Sequence, residues 1–495
     1  MAASSSSARG DLSCAPQRIS ELFNPNDRSW RAKDVITAVE AARRLLRVNF
    51  YMYDRDIPGG TDVAKEVAKI DKCVAAGLDS RTFATELPQY SGEYWFIKSL
   101  LAHPWRVFRP AEAEILVVPV FLSFELHQGC RGLTPAHKTL RAINRTGVLQ
   151  ARLRDHLYVA QDYRNNFAKL FPAGGVTRAF VEIIPAHPNL HGKVAPRSPQ
   201  QMDGREDFRI AVPYVDNSYM HGDWDSVPAY GTRRFSHRNL TFFFGGSTVQ
   251  NLPGSGLPGR KAAGYYIRHH LMRSWSRGSP DELPGTILIA SDFRYLRWTA
   301  VVSCDTAANK SLARLPSADA YGVKEGTRCL PACTDELLAF GSAGACSGRY
   351  SAQQMLSRTI FGICTRGDVP TSPRPYDTIR HGAIPVILGD NVWALGMPFQ
   401  CFVPYDLMTV SISERQLLTD LPGSLRNVSA SIDSMQLSRM QELINHFSRD
   451  VLWFFRDVSS SRVAENLLLE AARWRLRKPQ GCCPLWDRSM GAAGE

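Results

Sequence analysis

Runs of apolar residues separated by polar turns divide the chain into short strands and amphipathic helices that alternate in two successive series. Asp34–Leu46 places Val35, Ile36, Val39, Leu45 and Leu46 at helical spacing. Val48–Tyr53 follows as a buried strand, ended by Asp54 and the Pro58-Gly59-Gly60 turn. Tyr94–Leu101 reads as an apolar-rich helix, and Arg109–Pro119 runs from an acidic turn into a strand. Ile115–Phe124 is the longest apolar stretch and reads as a buried strand pair, well short of the ~20 residues of a spanning helix. Residues 135–170 carry a helical pattern with Arg, His and Asn outward, and Ala179–Pro185 and Phe208–Val215 are further strands. The second series opens at Asn239–Gly246, an apolar strand that breaks on glycines. A Gly/Pro loop at 251–260, a helix to about Trp275 and the strand Thr286–Ala290 come next. An irregular Cys/Gly/Ala-rich stretch at 304–349 reads as an insertion, and 432–476 holds two helices.

Strands alternating with helices predict an α/β fold with parallel sheets. The two series meet near residue 235, which suggests two domains with a cleft between them. The expected division is a leader and first helix at 1–45, an α/β domain at 46–235, a second at 236–415, and C-terminal helices with a tail at 416–495.

The segment 359–389 is the most informative. Strand 359–365 leads through Arg366-Gly367-Asp368-Val369-Pro370-Thr371 to Ser372, an expected N-cap, with Pro373 suited to the first helical position. The helix runs to His381, Gly382 ends it, and Ala383–Leu388 is the next parallel strand. In such a unit the loop lies at the carboxyl end of a strand, where open α/β sheets bind ligands. Gly367, the hydroxyls of Thr371 and Ser372, a helix N-terminus, Arg366 and Arg374 make a diphosphate-binding surface. Asp377, one turn into the helix, is placed to accept hydrogen bonds from ribose hydroxyls. The alternative is a simple ion pair with Arg374, three residues away.

Composition narrows the class without deciding it. At 44% hydrophobic and 21% charged residues the chain is too apolar to be disordered. The 59 Lys and Arg against 47 Asp and Glu leave a net charge of +12, which favours anionic partners. The basic residues are scattered, so a solvated basic surface is favoured over a nucleic-acid patch. Eleven cysteines show no zinc spacing; Cys329, Cys333 and Cys346 are candidates for a local bridge in an oxidising compartment. The N-terminus lacks the apolar core of a secretory signal. Sequons occur at Asn144, Asn239, Asn309 and Asn427, a number close to chance, and Asn239 is expected to be buried in its strand.

The stretch RGDVPTSPRPYDTIRHGAIPVILGDN, from Arg366 to Asn391, resembles the signature of exostosin-type glycosyltransferases, and Asp390 and Pro398-Phe399 continue the match. Upstream, Val48–Asp54, Tyr90 with Glu93 and Phe96, Arg109–Phe121, and Arg238–Gly245 are similar to that family's earlier motifs in the same order. Ala383 stands where the family usually has cysteine, Pro373 and Pro375 are atypical, and 304–349 has no counterpart. The resemblance implies a GT-B-type fold, two Rossmann-like domains facing across a cleft, with a nucleotide sugar on the C-terminal side and an acceptor glycan on the other. It implies an inverting, metal-independent transferase using a UDP-sugar, with no required cofactor.

On that reading Arg366, Gly367, Asp368, Ser372, Arg374 and Asp377 bind the nucleotide sugar, and Arg238 and Gly245 line the opposite wall. Glu93 and His187 are the candidate bases. Mn²⁺ would need Asp223-Trp224-Asp225, a D-x-D that follows a polar turn where an apolar strand is usual. The alternative function is a catalytically silent scaffold or glycan-binding subunit of a polysaccharide synthase complex. The expected partners are a nucleotide sugar, a glycan acceptor and a second glycosyltransferase in a homo- or heterodimer, with no nucleic acid. The resemblance implies the Golgi lumen or membrane, although no anchor is visible in this chain.

Overall fold

The computed structural model describes residues 29–77, 91–126, 130–159, 177–180, 209–216, 238–247, 286–292, 297–300, 355–365, 372–389, 397–453 and 460–475, with Phe23, Arg268 and Leu271. Its first half contains the helices α1 (Ala32–Arg44), α2 (Val63–Gly77), α3 (Gly92–Leu100), α4 (Leu122–Leu126), α5 (Ala136–Arg145) and α6 (Val148–Ala151). Strands β1 (Phe50–Met52), β2 (Ile115–Val117), β3 (His156–Val159), β4 (Thr177–Phe180) and β5 (Arg209–Ala211) form a parallel sheet in sequence order. The period of two sorts their side chains. Phe50, Met52, Ile115, Val117, Leu157 and Val159 enter the large core, while Tyr51, Leu116 and Tyr158 meet Leu140 and Ile143 of α5 and Leu149 of α6.

The second sheet contains β6 (Leu240–Ser247), β7 (Thr286–Asp292), β8 (Arg297–Ala300), β9 (Thr359–Thr365), β10 (Ile384–Leu388) and β11 (Val410–Ile412). Their order is β11-β10-β9-β6-β7-β8, all parallel except β8. The chain leaves β6 toward β7 on one side, then resumes on the other side with β9 and steps outward to β10 and β11. This reversal between β6 and β9 is a topological switch point, and the first sheet has none among its described strands.

Helices α7 (Arg374–Arg380), α8 (Tyr405–Met408), α9 (Glu414–Ser431), α10 (Ser434–Val451) and α11 (Val463–Arg475) complete the described chain. The last two, packed on each other, link the halves. α10 packs on α1, α7, α8 and β10, and α11 packs on α3, β2, β4 and β5. Arg43 of α1 pairs with Asp450 at 2.7 Å and donates to Asn466 Oδ1 at 2.9 Å, all three buried. Glu40 accepts from Arg449 and Arg462 and is bonded to His446, and these partners, offsetting the burial that opposes ionisation, hold its carboxyl well below the usual range. A second buried cluster lies at the C-terminal end of α7. Arg380 pairs with Asp216, just beyond β5, at 2.6 Å and donates to the Trp453 carbonyl at 3.2 Å. Trp453 in turn donates from its indole to the Pro213 carbonyl at 3.2 Å.

Several expected elements are corrected. Within 135–170 the chain turns at Gly147, with φ of 74°, and His156–Val159 is a buried strand, because its apolar side chains fill both faces of a sheet. Ile115–Phe124 is one strand followed by the start of α4, since Pro119 cannot continue a ladder. α9 was hidden by Pro422, which sits beside a non-helical Asp420, although Ser413 and Gln416 form a capping box at its start. Asn239 is exposed rather than buried, and its Oδ1 accepts from Arg358 at 2.8 Å. A disulfide joins Cys73 of α2 to Cys130, with Cα atoms 5.8 Å apart. Glu66 and Lys69, on the same face of α2, hold the adjoining residues Thr134 and Gly132. Cys329, Cys333 and Cys346, the 304–349 stretch and the loop at 251–260 lie outside the described residues. No helix among the described residues is long and apolar enough to cross a membrane.

Removing one partner of a buried pair strands the other charge, at a cost of about 3–5 kcal/mol. Asp216→Ala is therefore expected to lower unfolding stability by that amount in urea titration. Asp34→Ala, at the exposed Arg31–Asp34 pair, should leave the midpoint unchanged.

Candidate functional site

Among the described residues, the carboxyl edge of β6 and β9 holds Ser372 and Arg374 of the expected site, together with Thr365 and Arg268. Thr365 ends β9, and its carbonyl accepts from the Ser372 hydroxyl at 2.9 Å. Ser372 thus ties the start of α7 to the end of β9. It does not cap the helix as expected, and Pro373 occupies that position with no side-chain cap. The Thr365 hydroxyl accepts from Arg268 Nε at 3.0 Å, and Arg268 is buried. The Arg374 guanidinium lies 5.6 Å from the centroid of the Phe244 ring on β6, a cation–π contact that helps orient its charge. Gly245, buried on the same strand, pairs with Ile289 of β7. Asp377 is buried one turn along α7.

Close packing fixes this arrangement. A Cβ on Gly362 of β9 would lie 2.5 Å from Thr378 Cγ2, so α7 sits against β9 at a distance that only glycine permits. Cys364 lies beneath Arg374 and Asp377, donating to the Gly362 carbonyl at 3.3 Å, and burial pushes its thiol up to about 12. It is a packing residue, not a nucleophile. Gly382 ends α7 with φ of 65°, as the sequence indicated.

Arg238 is corrected. It lies before β6 at the amino edge of the sheet, away from the switch-point loops, and its guanidinium donates to the carbonyls of Thr359 at 2.6 Å and His381 at 2.8 Å. It clamps the start of β9 to the end of α7. The neighbouring His381 ring is buried with no hydrogen-bond partner on either nitrogen among the described residues. Burial, reinforced by the Arg380 and Arg238 cations, lowers it to about 3.

Glu93 is also placed differently from a base. It is fully buried, and its Oε1 accepts from the backbone N–H groups of Ser123 at 2.6 Å and Phe124 at 3.4 Å, satisfying the start of α4. Burial raises its pKa well above the ordinary carboxyl value, and Oε2 has no partner among the described residues. The carboxyl fixes the turn that follows β2. His187, Arg366, Gly367, Asp368 and the Asp223-Trp224-Asp225 motif lie outside the described residues. Arg268 escaped sequence reasoning because the loop before it gave no phosphate-binding pattern. Nothing else in its neighbourhood, Tyr265-Tyr266-Ile267-Arg268-His269-His270-Leu271, singles it out.

A parallel α/β sheet with arginines and hydroxyls grouped at its switch point is a framework that binds phosphorylated ligands. A model of the exostosin GT47 domain matches residues 46–428, and the chain belongs to that glycosyltransferase family. A probable glucuronosyltransferase of Oryza sativa subsp. japonica is 27% identical over 126 residues, 26% of this chain and 28% of that protein. A probable beta-1,4-xylosyltransferase of Arabidopsis thaliana is 32% identical over 89 residues, 18% of this chain and 20% of that protein. A probable glucuronoxylan glucuronosyltransferase of Arabidopsis thaliana is 25% identical over 126 residues, 26% of each chain. This chain therefore spans 20–28% of the length of these relatives.

Two outcomes test these placements. Glu93→Gln keeps a carbonyl oxygen for the Ser123 and Phe124 amides, so transferase activity should stay within about fivefold of wild type; loss of a general base would cost ~10²–10⁴-fold. For His381, the unfolded chain takes up a proton below pH 6.5 while the folded protein does not until about 3. Its contribution to stability is complete above pH 6.5 and is lost as pH falls through that window, with a slope of up to ~1.4 kcal/mol per pH unit. His381→Leu should flatten the acid limb of a plot of urea-unfolding stability against pH.

Proposed function

We propose that this glycosyltransferase is an inverting enzyme that moves a sugar from a UDP-sugar to a glycan acceptor in polysaccharide synthesis. The grouping of Arg268, Thr365, Ser372 and Arg374 at the β6/β9 switch point carries the reading. In the reaction the acceptor hydroxyl attacks the anomeric carbon in line while the nucleoside diphosphate departs. Charge grows on the leaving diphosphate, and arginines held before the reaction begins stabilise it without reorganising. Arg374, with Arg366 on the adjoining loop, serves that role; Ser372, Gly367 and Asp368 frame the phosphates and Asp377 receives the ribose. The names of the relatives, glucuronosyl- and xylosyltransferases, support a uronic acid or pentose as the transferred sugar.

The acceptor side is the half built on the first sheet, facing the donor across a GT-B-type cleft that aligns the two substrates. With Glu93 engaged by α4, His187 is the remaining candidate to take the proton of the attacking hydroxyl. The chemistry we assign needs no metal, because arginines neutralise the diphosphate. The Cys73–Cys130 disulfide supports folding in an oxidising compartment, in keeping with a Golgi-luminal enzyme.

A ligand that binds only the native state raises the melting temperature. UDP should do so in a dose-dependent way and GDP less. Arg374→Ala should weaken UDP binding by about 10–100-fold, the worth of a charge-assisted hydrogen bond. No shift with any nucleotide in folded protein would contradict the donor assignment and favour a silent subunit.

A further inference from the structure

The sequons find no use in the transfer reaction, and one of them stands out in the fold. We infer that Asn144 is an N-glycosylation site of this protein. The sequon Asn144-Arg145-Thr146 ends α5, and Asn144 is exposed. The buried positions of that helix are Ala136, Thr139, Leu140, Ala142 and Ile143, so a glycan on Asn144 displaces nothing from the core. Directly after it the backbone turns: Thr146 Oγ1 donates to the Ile143 carbonyl at 2.6 Å and Gly147 takes a φ of 74°. An accessible turn is the setting in which a sequon reaches a transferring enzyme.

The second observation concerns the compartment. Cys73 and Cys130, 57 residues apart, are joined in a disulfide, and Cys401 is also disulfide-bonded. Such bonds persist in the secretory lumen and not in the cytosol, and the lumen is where oligosaccharides are transferred to asparagine. In that step Asn144 Nδ2 attacks C1 of an oligosaccharide carried on a lipid pyrophosphate. The N–C bond forms and the C–O bond to pyrophosphate breaks. The lipid pyrophosphate leaves with the electron pair, and the amide proton passes to a base of the transferring enzyme.

The other described sequons are less suited. Asn144 Oδ1 accepts from Gln150 at 3.2 Å and Asn239 Oδ1 from Arg358 at 2.8 Å, both exposed contacts, but Asn239 lies between Arg238 and Leu240, both buried at the amino edge of the second sheet. Asn427 lies inside α9, four residues before its end at Ser431, whereas Asn144 is the last residue but one of α5. A glycan on Asn144 would stand among His137, Lys138, Arg141 and Arg145, all exposed on a helix with no acidic residue. It would shield the basic face of α5.

The test uses the full-length protein purified from the cells that make it. Peptides are mapped after enzymatic deglycosylation in heavy-oxygen water, and cysteines are alkylated before reduction. The expected result is heavy-oxygen aspartate at position 144, with Cys73 and Cys130 protected from alkylation. Asn144→Gln should remove that glycan, whereas Thr146→Ser, which keeps the sequon, should retain it. An unmodified Asn144 peptide overturns the proposal even if the disulfide is intact, and free Cys73 and Cys130 thiols overturn its premise about the compartment.

Discussion

The placement of α7 depends on the guanidinium of Arg380, held between the Asp216 carboxylate and the Trp453 carbonyl at the buried end of that helix. A charge removed from water must be matched nearly completely to be tolerated, so this pair fixes three parts of the chain at once. They are the segment leaving the first sheet, the end of α7 and the connection between α10 and α11. Arg238 adds a clamp from the start of β6 to the same place through the carbonyls of Thr359 and His381. α7 is a short helix held at its far end by this cluster and at its start by the Ser372–Thr365 bond, which places Arg374 at the carboxyl edge of the sheet.

The two sheets are not equivalent. The first adds its strands one after another in a single direction, and its edge residues are occupied with structure: Glu93 caps α4, and Tyr53 is hydrogen-bonded to His156 at 2.8 Å. The second reverses direction between β6 and β9. In open parallel sheets such a reversal is the place where ligands bind. Arg268, Thr365, Ser372 and Arg374 lie at the carboxyl end of this sheet. This difference in topology is what led us to assign the proposed donor side to the second sheet.

The segment 359–389 was legible because its signals are local. The run Thr359–Thr365 is apolar and bounded by turns, and Gly382 can end a helix without strain, so strand, helix stop and parallel return were read within a residue of their observed limits. Roles that depend on distant neighbours were not legible. Nothing near Arg238 in sequence shows that its donors reach carbonyls more than 100 residues away, and a glutamate in a family motif looks the same whether it meets substrate or the start of a helix. Ser372 has the residue type of an N-cap, but a carbonyl at the end of β9 competes for its hydroxyl and wins. Cys73–Cys130 and the Arg268–Thr365 contact are likewise products of tertiary structure, which spacing alone does not encode.

The central claim is that the nucleotide sits at the β6/β9 switch point. Photolabelling with an azido-UDP analogue, followed by peptide mapping, tests it most directly. The account predicts UDP-protectable labelling of peptides containing Arg268 and residues 359–382. Labelling confined to peptides of the first sheet, around Tyr53 or Val118–Ser123, would contradict it.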